Sequence, residues 1–153
     1  MPRIVIYAFG RGGGSGGDSR AGHAFVGFRL FEDNDNVFAT NNDATYGFYP
    51  KDGTGRRMRD DSAQIPYANK ALIFDVLDAD YRQAKLVLEG WLSAKYFLGT
   101  SDCVSFVYEI IEAIRRNKPI KGTTYIPLSA IDEIQRLNPG GGRVATPTSI
   151  SSM

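Results

Sequence analysis

Ser101-Asp102-Cys103-Val104-Ser105-Phe106-Val107-Tyr108-Glu109-Ile110 holds the single cysteine of the chain. Cys103, Phe106, Val107, Ile110, Ile111 and Ile114 recur at helical spacing, which gives one apolar stripe that must face a core. Thr100, Ser101 and Asp102 are all residues that cap a helix start, and Asn117-Lys118-Pro119 stops one. The stretch therefore predicts a buried-face helix from about Asp102 to Asn117 with the thiol in its first turn. Unpaired N–H groups and the positive end of the helix dipole favour thiolate there. A cysteine so placed is a candidate nucleophile, although an ordinary core cysteine has the same pattern.

Working outward, two more helices are expected. Asp78 to about Lys95 turns Ala84, Val87, Leu88, Trp91 and Leu92 inward. Pro127 to Leu137 does the same with Leu128, Ile131, Ile134 and Leu137, and Asn138-Pro139-Gly140-Gly141-Gly142 ends it. The strands precede the helices. Arg3 to Phe9 is rich in β-branched and aromatic residues. Gly22 to Leu30 alternates Ala24, Val26, Phe28 and Leu30 against His23, Phe25, Gly27 and Arg29. Glu32-Asp33-Asn34-Asp35-Asn36 is a turn, and Thr45 to Tyr49 is the core of the hairpin partner, ended by Pro50. Ala71 to Leu77 is a further strand. Strands followed by helices define an α+β domain, an antiparallel sheet packed against helices. Residues 1–138 form this single domain, with a flexible glycine-rich loop at 10–20 and a Ser/Thr-rich flexible tail at 139–153. Lys51 to Asn69, with Arg56, Arg57, Arg59, Asp60 and Asp61, reads as a solvated loop, and only secondarily as a basic patch for an anionic substrate.

The composition narrows the function. A length of 153 residues suits one core, and 42% hydrophobic and 23% charged residues are ordinary for a globular protein. A net charge of +1 gives no case for nucleic acid. One cysteine and one histidine exclude an internal disulfide and argue against structural zinc. No apolar run is long enough to span a bilayer, and the first strand runs into glycines as a secretory signal does not. The chain is expected to be cytoplasmic as made, with any export independent of a cleaved signal. Gly12, Gly14 and Gly17 fit a dinucleotide pattern formally, but a strand and not a helix follows.

His23 is the second singleton, placed where a strand begins. An imidazole that takes a thiol's proton, itself oriented by a polar third group, makes the thiol a nucleophile. Asp102-Cys103-x-x-Phe106-Val107 resembles the Asp-Cys-Ser-Gly-Phe-Val signature of NlpC-type cell-wall peptidases, which are papain-like cysteine amidases. Gly22-His23-Ala24-x-Val26-Gly27 is similar to the strand that carries their base. The histidine strand comes first here, as in the circularly permuted papain-like group. Tyr46-Gly47-Phe48-Tyr49-Pro50 resembles members of that group found among bacterial secreted effectors. Val104 and Ser105 depart from the serine and glycine of the signature.

The resemblance implies a permuted papain-like fold and a cysteine peptidase or amidase. Cys103 would be the nucleophile and His23 the base, with no metal or organic cofactor. Its substrate would be a peptide, in particular a peptidoglycan stem peptide, and delivery and immunity proteins would be partners. Acyl transfer, deamidation and lipid ester hydrolysis use the same pair of residues, and a binding module with a core cysteine is the non-catalytic alternative. The family's third residue lies on the strand after the base. A hairpin centred near Asn34 and Asp35 would set Thr45 and Tyr46 across from His23, so Thr45 is the first candidate, with Asp43 and Asp75 as the others.

Overall fold

A computed structural model describes residues 2–10, 22–29, 37–38, 44–50, 56–91, 103–114, 127–137 and 142–147. Among the described residues six strands form one sheet: β1 (Arg3–Phe9), β2 (His23–Arg29), β3 (Ala44–Pro50), β4 (Arg56–Asp60), β5 (Lys70–Asp75) and β6 (Arg143–Ala145), in the order β4-β3-β2-β1-β5-β6. Every neighbouring pair is antiparallel. Three α-helices accompany it among the described residues: α1 (Asp78–Trp91), α2 (Cys103–Ile114) and α3 (Pro127–Leu137). The α+β architecture expected from the sequence is the one observed. None of the described helices is long and apolar enough to cross a membrane.

The helices share one sheet face. Ile4, Ile6, Ala8, Ala24, Val26, Phe28, Leu72 and Phe74 alternate onto that face and pack in one cluster with residues of all three helices. From α1 come Tyr81, Ala84, Leu88 and Trp91, and Trp91 meets Phe48 of β3 edge-to-face at 4.8 Å between centroids. Helix α2 contributes Val104, Phe106, Val107, Tyr108, Ile110, Ile111 and Ile114, so it is buried around most of its circumference and lies at the centre of the helical layer. Each such aliphatic or aromatic side chain stabilises the fold by about 1.5–3 kcal/mol on burial.

The opposite sheet face is buried as well. Val5, Tyr7, Phe9, Phe25, Ala71 and Ile73 cluster there with Val37, Ile65, Ala68 and Ala145. Burial on both faces explains why Arg3 to Phe9 shows no polar alternation. Arg29, fully buried on this face, donates from Nη2 to the Tyr7 hydroxyl and to the Val37 carbonyl oxygen (3.3 Å).

Two expectations need correction. Residues 56–60 are not part of a solvated loop but the edge strand β4, paired with β3 from Tyr46↔Asp60 to Pro50↔Arg56. Charged residues suit an edge, where they discourage pairing with other chains, and they hide the alternation that marks interior strands. Residues 143–145 are not a flexible tail: they form β6, paired with β5 through Ala71↔Ala145, Leu72↔Val144 and Ile73↔Arg143. Gly142 precedes it at φ +86°, which glycine adopts without steric cost. The glycine-rich loop expected at 10–20 lies, beyond Gly10, outside the described residues.

Candidate active site

The first residue of β2 meets the first residue of α2. Gly22 sets up this junction: its φ is +85°, and a Cβ there would lie 2.3 Å from the Phe9 carbonyl oxygen. Only glycine fits, and it turns the chain so that His23 pairs with Phe9 as strand residue one. The imidazole stacks on Phe25 (centroids 5.6 Å apart, 16° between planes) and tilts against Phe9 at 5.7 Å. These rings leave His23 only 5% exposed. Cys103, partly buried at the start of α2, lies close enough to this ring to raise its pKa. The two singletons, expected to lie together, are thus near enough to interact electrostatically. The capping residues expected at 100–102 lie outside the described residues.

The imidazole's other partner is Asp61. Its Oδ2 stands 2.9 Å from His23 Nε2, and the carboxylate is 1% exposed. A carboxylate at Nε2 requires the proton on that nitrogen, which leaves Nδ1 for the thiol. Burial by itself would lower the His23 pKa. The hydrogen bond that His23 donates to Asp61, the interaction with Cys103 and the Asp61 charge outweigh it, and raise the value to about 9.

Asp61 is held by its backbone. Its N–H donates to the Thr45 carbonyl oxygen at 2.9 Å, continuing the β3–β4 ladder by one residue. Its own carbonyl accepts from Gln64 N–H at 2.8 Å, opening the 3₁₀ helix Ser62–Tyr67. An aspartate before a helical turn usually spends its carboxylate on capping. Asp61 makes no such cap, and its carboxylate turns to the imidazole instead.

The third-residue candidates fall as follows. Thr45 is buried but pairs with Gly27, not with His23. The pairing Phe25↔Gly47, Val26↔Tyr46 and Gly27↔Thr45 continues to set residue 49 across from His23. The connection between β2 and β3 is longer than a turn centred at residues 34–35 would allow, so the register moves by about four residues. Thr45 contributes through its carbonyl, as the anchor of Asp61. Asp75 sits at the far end of the sheet, opposite Arg3, while His23 is opposite Phe9. That is six strand residues away, about 20 Å. There Asp75 binds Arg3 Nε at 2.8 Å and Arg143 Nη1 at 2.7 Å. Asp43 lies outside the described residues.

Asp61 itself was within a stretch read as solvated charge. The signal available was a capping-type residue beside an apolar anchor, Ile65, which is fully buried. Among the described residues no group of His, Cys, Asp and Glu could hold a metal ion. No protein-family model, curated protein or solved structure matches the chain.

Proposed function

We propose that the chain is a thiol hydrolase of the cysteine peptidase or amidase type, built on a permuted papain-like plan. The observation that carries this reading is one buried imidazole, held at Nε2 by the Asp61 carboxylate and in reach of the only thiol. A structural histidine needs one partner; a carboxylate–imidazole–thiol relay is what nucleophilic catalysis needs. The order of the chain, histidine strand before cysteine helix, supports the permuted plan.

In the proposed reaction the thiol proton passes to His23 Nδ1, and Asp61 stabilises the imidazolium that forms. The Cys103 sulfur attacks the carbonyl carbon of an amide. The backbone N–H of Cys103, at the start of α2, donates to the oxyanion. Collapse breaks the C–N bond as His23 returns its proton to the leaving amine. Water, deprotonated by His23, then splits the thioester to release the acid and the thiol. Peptidoglycan stem peptides are the substrate class that the signature around Cys103 favours.

Two experiments test the reading. Iodoacetamide should alkylate Cys103 well below pH 8.5, the range of a free thiol, and His23→Ala should slow that reaction. A thiol that reacts only as a free thiol does, in both proteins, removes the nucleophile. Purified peptidoglycan incubated with wild type should release new peptide fragments, and Cys103→Ala should release none. Reactive Cys103 with no Cys103-dependent fragments would reject the cell-wall substrate while leaving the thiol site standing.

A further inference from the structure

Asp61 follows β4, and His23 belongs to β2, with β3 between them. Two inter-strand spacings amount to about 9.6 Å. An imidazole and a carboxylate joined by a 2.9 Å hydrogen bond bridge that gap by running over the backbone of β3. The residue beneath them is Gly47, paired with Phe25 in the ladder. A Cβ at Gly47 would lie 1.9 Å from Asp61 Oδ2 and 2.5 Å from His23 Nε2, the two atoms of that bond. The backbone gives no other reason for glycine here. Among the described residues only Gly22 and Gly142 have positive φ, so Gly47 has a backbone that any strand residue adopts. Glycine within a strand weakens it and marks a place of close approach. Its tightest neighbours are the base and its carboxylate.

We infer that Gly47 is a positioning residue of the candidate site: its missing side chain is the floor over which the His23–Asp61 bond closes. The inference rests on the thiol-hydrolase reading of the same site. It adds a steric requirement on β3 that neither Cys103 nor His23 discloses. Any side chain at position 47 pushes the carboxylate away from Nε2 and frees the ring to turn, so the thiol loses an oriented base even though all three reacting side chains remain.

The test is the pH profile of Cys103 alkylation in wild type, Gly47→Ala, Asp61→Ala and the double variant, each with a thermal melt. In Gly47→Ala the rate at pH 6.5 should fall by at least about tenfold, with the profile moving toward that of a free thiol. In the Asp61→Ala background the same glycine substitution should change the rate less than about twofold, because the bond it disrupts is already gone. A wild-type profile in Gly47→Ala overturns the inference, and so do independent, multiplying effects of the two substitutions. If Gly47→Ala does not fold, the double variant decides: recovery of a cooperative melt when the carboxylate is cut back supports the clash, whereas failure of both assigns Gly47 to the strand and not to the pair. A wild-type thiol without enhanced reactivity would instead defeat the hydrolase reading, which separates the two failures.

Discussion

Asp61 and Asp75 are two carboxylates of one sheet, and they are used in opposite ways. Asp75 is exposed at the end of β5 and holds two permanent cations, Arg3 and Arg143. Burial would raise its pKa, but the hydrogen bonds and charges of Arg143 and Arg3 outweigh that and lower it. Asp61 is buried and holds a partner that titrates, the His23 imidazole. A guanidinium keeps its charge across the accessible pH range, so Asp75 fastens β1, β5 and β6 together. An imidazole can give its proton away, so on the proposed reading the same carboxylate chemistry at Asp61 becomes part of a relay. The partner, together with burial, decides whether such an acid is a clasp or, on the proposed reading, a participant.

The contrast can be broken most sharply by substitution. Asp61→Asn is expected to cut thiol-dependent turnover on the order of 10²-fold, because the amide holds the ring less well and does not offset the imidazolium. Asp75→Asn should leave turnover unchanged. Equal losses in the two variants, measured as kcat/KM on a common amide substrate, would mean that both act through stability.

The pH dependence of stability separates the pair next. The folded His23 pKa of about 9 lies above the ordinary value of 6.5, so the fold prefers the imidazolium. Its stabilisation is complete below about pH 6.5 and is lost as pH rises to about 9. The melting temperature should therefore fall by several degrees across that window, and His23→Gln should flatten the decline. Asp75 has the opposite sign. With its folded pKa depressed, its contribution is present above the ordinary carboxylate range and disappears as pH falls below it, so Asp75→Asn should flatten only the acid limb. The smallest effect is that variant at neutral pH. An exposed carboxylate on two arginines should cost roughly 1 kcal/mol, or a few degrees, when removed.

These carboxylates also show what the sequence could and could not disclose. Asp75 was legible as a strand residue because Ala71 to Leu77 announces a strand through its own residues, although the strand observed ends at Asp75. Arg3–Phe9 and Pro127–Leu137 were legible for the same reason, and their observed bounds are those expected. Cys103 and His23 stood out as singletons at element starts, and the structure brings them together. Asp61 depends on facts that no local pattern contains: the β2–β3 register, a charged edge strand that shows no alternation, and a glycine that yields space above β3. Thr45 was in the right neighbourhood: its carbonyl anchors Asp61, the residue whose carboxylate meets the imidazole.

The enclosure of α2 has a consequence for the order in which chemistry can appear. A helix apolar around most of its surface gains little by forming in water, and its stability comes from the sheet and the flanking helices. The thiol at its first residue therefore acquires its imidazole only once the layers have closed. On the proposed reading, a nascent or unfolded chain carries a sulfur without its base, and the cell that makes the protein would meet an activated thiol only in the finished molecule.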